Sequence, residues 1–194
     1  MEKSTKRLLI RPLRKGDYHK WVKANSTMQP KFNRWDRENR PLSELSRAKF
    51  QKLLKEQQQL READDFYDFA VFYKKTGEII GGVSAMNVVR SVSHSAYLGY
   101  SIYNQHWGQG FGKEAVKGML DIAFRQLNLH RMEAGIERYN IRSIRLAKSL
   151  GMVREGTKRK AVYLRGEWQD LVVYSILAED FGFKWQGQVK PRGR

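Results

Sequence analysis

Three glycines alternate in the stretch WGQGFGK, at Gly108, Gly110 and Gly112. Glycine permits tight backbone turns and removes side chains that would block a ligand. The residues that follow predict a helix, whose first turn offers unpaired N–H groups and a positive dipole end to an anion. A strand, this turn and a helix together make a cradle for a phosphate. Lys113 adds charge at the helix start, where a lysine opposes the dipole and so hints at an anionic ligand. The Lys-Ser/Thr pair of a P-loop is missing. The dinucleotide fingerprint belongs to a first βα unit, whereas several strands precede this turn. A plain tight strand–helix turn is the other reading of the same letters.

Other chemistry is bounded by what the chain lacks. It has no cysteine, which excludes a disulfide scaffold, a cysteine metal site, an iron–sulfur cluster and a cysteine nucleophile. No metal is expected.

The turn needs elements to hold it. Residues 7–13 (RLLIRPL) read as a first strand, Gly16 breaks it, and Asp17 is a candidate cap for a helix over 18–24. Residues 26–41 are polar and aromatic, with weak periodicity and two prolines, and read as a loop. Leu42, Leu45, Phe50, Leu53, Leu54 and Leu60 predict an amphipathic helix over 42–61. FYDFAVFY (66–73) and EIIGGVSAMNVV (78–89) form a hairpin, and SAYLGYSIY (95–103) is the next strand. Its Gly99 marks a bulge or a close backbone approach. A helix over 111–127, a short strand over 130–136 and a helix over 142–150 capped by Asn140 follow. A hairpin with strands near 158–164 and 170–176 closes the series. The tail from Glu179 is polar, with Phe181, Phe183 and Trp185 available to dock it. Seven strands with flanking helices make an α/β (α+β) sheet domain over 1–178, followed by a basic tail over 179–194.

The 194 residues suit one domain, and 37 basic against 20 acidic side chains give a net charge of +17. That charge suits an anionic cofactor, RNA or a ribosome, and equally a solvated basic surface. The N-terminal residues are neither a signal peptide nor a membrane span, so cytoplasm is the default and no membrane partner is expected.

In one order, RLLIRPL, NVVRSVSHSAYLGYSIYNQHWGQGFGKEA, HRMEAGIERYNIRSIRLAKSLGMVREG and YLRGEWQDLVVYS span about residues 7–177. In them the chain resembles the GNAT superfamily of N-acetyltransferases, in its ribosomal-protein alanine acetyltransferase branch. The resemblance implies the acyl-CoA N-acyltransferase fold, a mixed, mostly antiparallel twisted sheet of about seven strands. It implies acetyl-CoA as co-substrate, bound where a bulged central strand splays from its parallel neighbour, with Gly99 and Tyr100 near the bulge. Ser101, Ile102 and Tyr103 would offer backbone groups to the pantetheine arm. Gln109, Gly110, Phe111, Gly112 and Lys113 would hold the pyrophosphate, with Trp107 where the wider superfamily has Arg or Gln. Asn140 would contact the cofactor as well as cap its helix.

The superfamily's common tyrosine acid falls at Ala147, which moves that role to Ser143. A glutamate base of a related branch member falls at Val162. The remaining base candidates are Glu137, His94 and Asp170, each with a structural alternative. Tyr97 and Tyr100 are candidates for lining the peptide site, and Phe32, Trp35 and Asp36 for a lid. The implied acceptor is the N-terminal α-amine of alanine on a protein, a ribosomal one, with the basic surface near rRNA. The enzyme would be a monomer or homodimer. An α-amine has a pKa near 8, so a weak base suffices. The rival readings are a small-amine acetyltransferase and a non-catalytic RNA- or ribosome-binding protein that keeps the fold.

Overall fold

The computed structural model describes residues 1–187. The last part of the basic tail, residues 188–194, lies outside them. Eight strands form one sheet in the order β1-β2-β3-β4-β5-β6-β8-β7. They are β1 (Lys3–Ser4), β2 (Leu8–Arg11), β3 (Phe66–Tyr73), β4 (Ile79–Val89), β5 (Ser95–Ile102), β6 (Arg131–Glu137), β7 (Val153–Leu164) and β8 (Glu167–Leu177). The count exceeds the expected seven by β1, a two-residue strand too short to carry a period. All pairings are antiparallel except β5 with β6.

Four helices cover the sheet: α1 (Tyr18–Ser26), α2 (Arg47–Glu62), α3 (Phe111–Asp121) and α4 (Ile141–Ser149). Alternation along the strands sorts the core into two layers. Phe69 and Val71 face the layer of α3, with Ile10, Ile80, Leu98, Met119 and Leu120. Phe72 faces the layer of α1 and α2, with Trp21, Phe50, Ile79 and Tyr103. Phe111, Ala115, Val116, Met119 and Leu120 make the buried stripe of α3, the spacing of a helix with one apolar face. The helix predicted over 42–61 breaks in two. Leu42–Glu44 is one 3₁₀ turn, and Ser46 then caps α2 by accepting the Lys49 N–H at 3.3 Å.

Asp17 stands at the N-cap position of α1, but its side chain makes no cap hydrogen bond there. Its carboxylate accepts both arms of the Arg11 guanidinium, at 2.6 and 2.9 Å, and the Arg14 N–H at 2.8 Å. Both partners are buried, and Arg11 also stacks on Phe72 at 4.0 Å. Arginine's rigid fork, together with the Arg14 N–H, holds the carboxylate away from the first N–H groups of α1. The tail residues that the structure describes are docked. Phe181, Phe183 and Trp185 pack on the main core, and the Trp185 indole donates to the Asn128 carbonyl at 3.2 Å.

The Arg11–Asp17 pair yields a stability prediction. Burial raises the Asp17 pKa, but its hydrogen bonds to Arg11 and the Arg14 N–H outweigh that and hold it below the ordinary value. A depressed folded pKa contributes stability above the unfolded pKa, lost as pH falls through the folded one. Asp17→Ala leaves a buried guanidinium unpaired and should cost about 3–5 kcal/mol in urea unfolding at neutral pH. The gap to wild type should narrow below about pH 4. A loss under about 1 kcal/mol would show the pair to be idle.

Candidate active site

The sheet opens at its one parallel pair. β5 and β6 are in register over Ser95↔Arg131, Ala96↔Met132 and Tyr97↔Glu133. Beyond Tyr97, β5 stays with β4 as far as Ile102↔Gly81, and β6 stays with β8 as far as Glu137↔Leu171. A cleft therefore opens after Tyr97. In an antiparallel ladder, alternate residues turn their N–H and C=O to opposite sides. The Tyr103 N–H donates to the Ile80 carbonyl at 2.9 Å, which fixes the phase. Gly99, Ser101 and the Tyr103 N–H are spent on β4, while the main chains of Tyr100 and Ile102 face the cleft. Of Ser101, Ile102 and Tyr103, only Ile102 turns its backbone to the gap, and Tyr100 joins it. The Ile102 carbonyl accepts the Trp107 indole N–H at 2.7 Å. The register of β5 against β4 is regular across Gly99. The irregularity falls between Met86 and Val89, and Asn87 has a φ of 51°.

The glycine turn follows β5 directly. Gly108 and Gly110 have φ values of +74° and +76°, a region side chains disfavour. Gly110 is the N-cap of α3 and supplies no side-chain cap. The N–H groups of Phe111, Gly112 and Lys113 are thus the helix's orphan donors. Gln109, Gly110 and Lys113 are exposed, and Phe111 is buried beneath them. Arg7, which precedes β2, braces the turn. Its guanidinium donates to the Gln109 carbonyl at 2.8 Å, stacks on Phe111 at 4.4 Å and is held by Glu114 at 2.7 Å. Arg142 covers Trp107 at 4.0 Å. Three cations, Arg7, Lys113 and Arg142, thus stand around one helix start. Sequence reasoning missed Arg7, whose partners lie more than 100 residues away.

Across the cleft, the Asn140 side chain accepts the Ser143 N–H at 3.2 Å and caps α4. The Ser143 hydroxyl lies 2.6 Å from the Tyr100 phenol. Burial pushes the Tyr100 pKa up and the Ser143 bond pulls it part of the way back. The structure joins these two residues from separate elements. It does not bring Glu137 to them as a free base: Arg165 and Arg34 both pair with its carboxylate, Arg34 at 3.5 Å.

His94 sits before β5, at the end away from the opening, with its ring 4.9 Å from Trp185. Asp170 accepts the Lys160 N–H at 2.8 Å and pins the β7–β8 hairpin, where Lys160 has a φ of 46°. Val162 pairs with Gln169 in that hairpin, and Ala147 is fully buried. The Tyr97 phenol accepts from Lys158 at 3.1 Å. Asp36 accepts the Phe32 N–H at 2.7 Å, and the exposed Phe32 ring reaches Trp107 at 6.1 Å, so the 26–41 segment borders the glycine turn.

On the other face of the sheet, below α1 and α2, lies a cavity of about 390 Å³. Its floor is Gly82, Ser84, Gly99 and Ser101, and its walls include Arg37, Arg40, Gln57, Asp68 and Tyr103. Asp68 accepts from the Gln57 amide at 2.7 Å. Burial raises its pKa, and Arg37, Gln57, the Phe69 N–H and Arg61 offset this only in part. The Gln57 Oε1 and an Arg61 N–H are buried without partners among the described residues. Because these groups come from the 26–41 segment, α2 and three strands, no local spacing announces them. The one signal was Asp68 itself, a carboxylate inside an aromatic strand run.

The model of the acetyltransferase (GNAT) domain matches residues 7–153. A probable N-acetyltransferase of Bacillus subtilis, YjcK, is 37% identical over 66% of this chain and 71% of its own length. The [ribosomal protein uS5]-alanine N-acetyltransferase of Escherichia coli is 33% identical over 62% of each chain. Over several curated relatives, the match spans under two thirds of their length. Among solved structures, the ribosomal-protein-S5-alanine acetyltransferase of Vibrio fischeri superposes with a TM-score of 0.75 at 24% identity, over 93% of this chain and 98% of that one.

The turn yields the second prediction. Gly110→Glu places a side chain at a φ of +76° and a carboxylate before the orphan N–H groups. Acetyl-CoA affinity should fall by about 10²-fold or more, roughly the combined loss of two charge-assisted hydrogen bonds, with the unfolding transition retained. Wild-type affinity by calorimetry would remove the turn from the donor site.

Proposed function

The chain belongs to the GNAT acetyltransferase family, with acetyl-CoA as its donor, and on that premise we propose that its acceptor is the α-amine of an N-terminal alanine on a ribosomal protein. The observation that carries the choice of acceptor is the charge of the cavity. Two arginines, Arg37 and Arg40, line it against one carboxylate, Asp68, and the whole chain carries +17. A polyamine brings several positive charges that such walls repel. A protein N-terminus brings one, on a group that gives it up easily. With pKa values near 7.9 and 10.4, an α-amine is neutral roughly 300 times more often than a lysine amine at neutral pH. The relative from Escherichia coli, named as an N-acetyltransferase of an alanine of ribosomal protein uS5, points the same way. A ribosomal acceptor suits a basic surface near rRNA and a cytoplasmic reaction. No helix among the described residues is long and apolar enough to cross a membrane.

In this reading the turn 108–113 and Arg7 hold the pyrophosphate, and the backbone of Tyr100 and Ile102 orients the pantetheine arm and thioester in the cleft. Asn140 sets the start of α4. Ser143 donates a hydrogen bond to the leaving thiolate, and Tyr100 orients that hydroxyl.

Acetylation of peptides beginning with alanine, an N-blocked lysine peptide and spermidine, followed by thiol release, tests the acceptor. Turnover should be confined to the free alanine terminus. Preference for spermidine or the blocked lysine peptide would overturn the reading. For Ser143→Ala we expect kcat to fall by about 10²-fold with acetyl-CoA affinity unchanged. Tyr100→Phe should fall less, and the double variant should equal Ser143→Ala. Unchanged kcat across pH would remove Ser143 from the reaction.

A further inference from the structure

We propose that Asp68 accepts the proton of the attacking amine, through the hydroxyl of Ser84, along a polar row that crosses the sheet beneath the cavity. The inference rests on the cavity being the acceptor site. Asp68 stands directly opposite Ser84 in the β3–β4 ladder, and Ser84 directly opposite Gly99 in the β4–β5 ladder. Residues directly opposite share a face, and all three line the same cavity. Adjacent strands are about 4.8 Å apart, so Asp68 and Gly99 are about 10 Å apart at the backbone, with Ser84 midway.

Gly99 is the end of the row at the cleft. A Cβ there would collide with the Ser84 hydroxyl oxygen, so the serine leans over the glycine. The strand residue that a bulge was expected to explain is small because a polar group occupies the space above it. On the far side of β5, the backbone of Tyr100 faces the opening where the thioester is held. An amine approaching from the cavity thus meets the serine hydroxyl before it meets the reacting carbon. The remaining gap is one that water can fill, since a water takes up about 30 Å³ of a cavity of about 390 Å³.

Asp68 is the one carboxylate among the cavity's lining residues. Arg61 and Gln57 face it from α2, Arg37 from the 26–41 segment, the Tyr103 phenol from beyond β5 and the uncharged Ser84 from β4. From α1 the lining groups are Trp21 and the uncharged Asn25. Burial outweighs the two arginines and leaves the carboxylate more basic than in water. Gln57 orients it through one oxygen. The alternative bases do not reach the cavity: Glu137 is paired with two guanidiniums, Asp170 holds the Lys160 N–H, and His94 stacks on Trp185.

The bound α-ammonium gives one proton through Ser84 to the Asp68 carboxylate, which returns it to solvent. The neutral amine forms the N–C bond and the C–S bond breaks. The second nitrogen proton leaves with the collapse of the tetrahedral adduct, and the thiolate ends as a thiol. The sum is an ammonium and a thioester giving an amide, a thiol and one free proton.

The test is the pH profile of kcat/KM for Asp68→Asn, Asp68→Glu and Ser84→Ala, with the amine that the wild type acetylates fastest. Without the carboxylate, the enzyme must wait for amine already neutral in solution. Asp68→Asn should therefore lose about 10²-fold at pH 6.5 and recover most of that by pH 9, above the amine's own pKa near 8. Ser84→Ala should show the same shape with a smaller deficit, and Asp68→Glu should keep the wild-type shape. A deficit equal at every pH, or none, overturns the proposal. Acetyl-CoA affinity reports folding in each variant. Should Asp68→Asn fail to bind it, the Ser84→Ala profile decides by the same criterion. A wild type that prefers a small amine to an alanine terminus overturns the substrate reading and leaves this test in force, with recovery then expected only above that amine's own pKa, near 10 for an alkylamine.

Discussion

The site depends on a sheet that stops pairing where two strands still run side by side. β6 has seven residues in register with β8 and three with β5. An antiparallel ladder is slightly the more stable per residue, so the twist of β6 follows β8 and leaves β5 after Tyr97. A sheet interior does not normally leave backbone N–H and C=O groups without partners. Here the Trp107 indole satisfies the Ile102 carbonyl, and the remaining groups of Tyr100 and Ile102 are left for a ligand that behaves as a strand. An extended pantetheine arm, with its amides, has that character. In the proposed reading the opening also accounts for how few side chains the reaction needs, since main chain that the fold has set aside would do most of the holding.

Two layers of helices then divide the labour across the sheet. α3 and α4 lie over one face and bring the glycine turn, Asn140 and Ser143. α1, α2 and the 26–41 segment lie over the other and enclose the polar cavity. Tyr100 crosses between these halves, with its phenol on Ser143 and its backbone at the cleft. The linkage of the layers is reinforced at the rim, where Arg34 of the 26–41 segment pairs with Glu137 at the end of β6 and with Glu167 of β8 at 3.3 Å. The polar 26–41 segment is in this way tied to the β7–β8 hairpin.

What could be read from the sequence was what is local. The glycine turn, the Asn140 cap, the stripe of α3 and the hairpins are set by residues a few positions apart, and their periods survive any tertiary context. Asp17 misled because a cap and an ion pair look alike from one side: its winning partner, Arg11, lies on the preceding strand rather than in the helix. Gly99 offered two explanations, and only the register of β4 decided for close approach. The cavity was out of reach because Arg37, Gln57, Asp68 and Tyr103 meet through the sheet order, and no spacing in the chain encodes that meeting. A charged residue in an otherwise apolar strand, as in FYDFAVFY, interrupts the run at a point that costs several kcal/mol if the charge is buried unpaired. It is the kind of local inconsistency that marks a site.

The same excess of positive charge serves the two substrates in opposite ways. CoA carries several phosphate charges, and Arg7, Lys113 and Arg142 gather at the turn that would meet them. There the basic character speeds encounter and adds to the helix dipole. In the cavity, Arg37 and Arg40 face an incoming cation, and Arg40 is neutralised only in part by Glu44 at 3.3 Å. An ammonium enters such a place at a cost that its neutral amine does not bear. The cavity thus favours the protonation state able to attack, provided some group removes the proton on the way in. A lone, poorly hydrated carboxylate beside a serine at the cleft edge is suited to that task. The basic walls and the buried acid are then one device: the arginines select for an amine that gives up its charge, and Asp68 takes the charge from it.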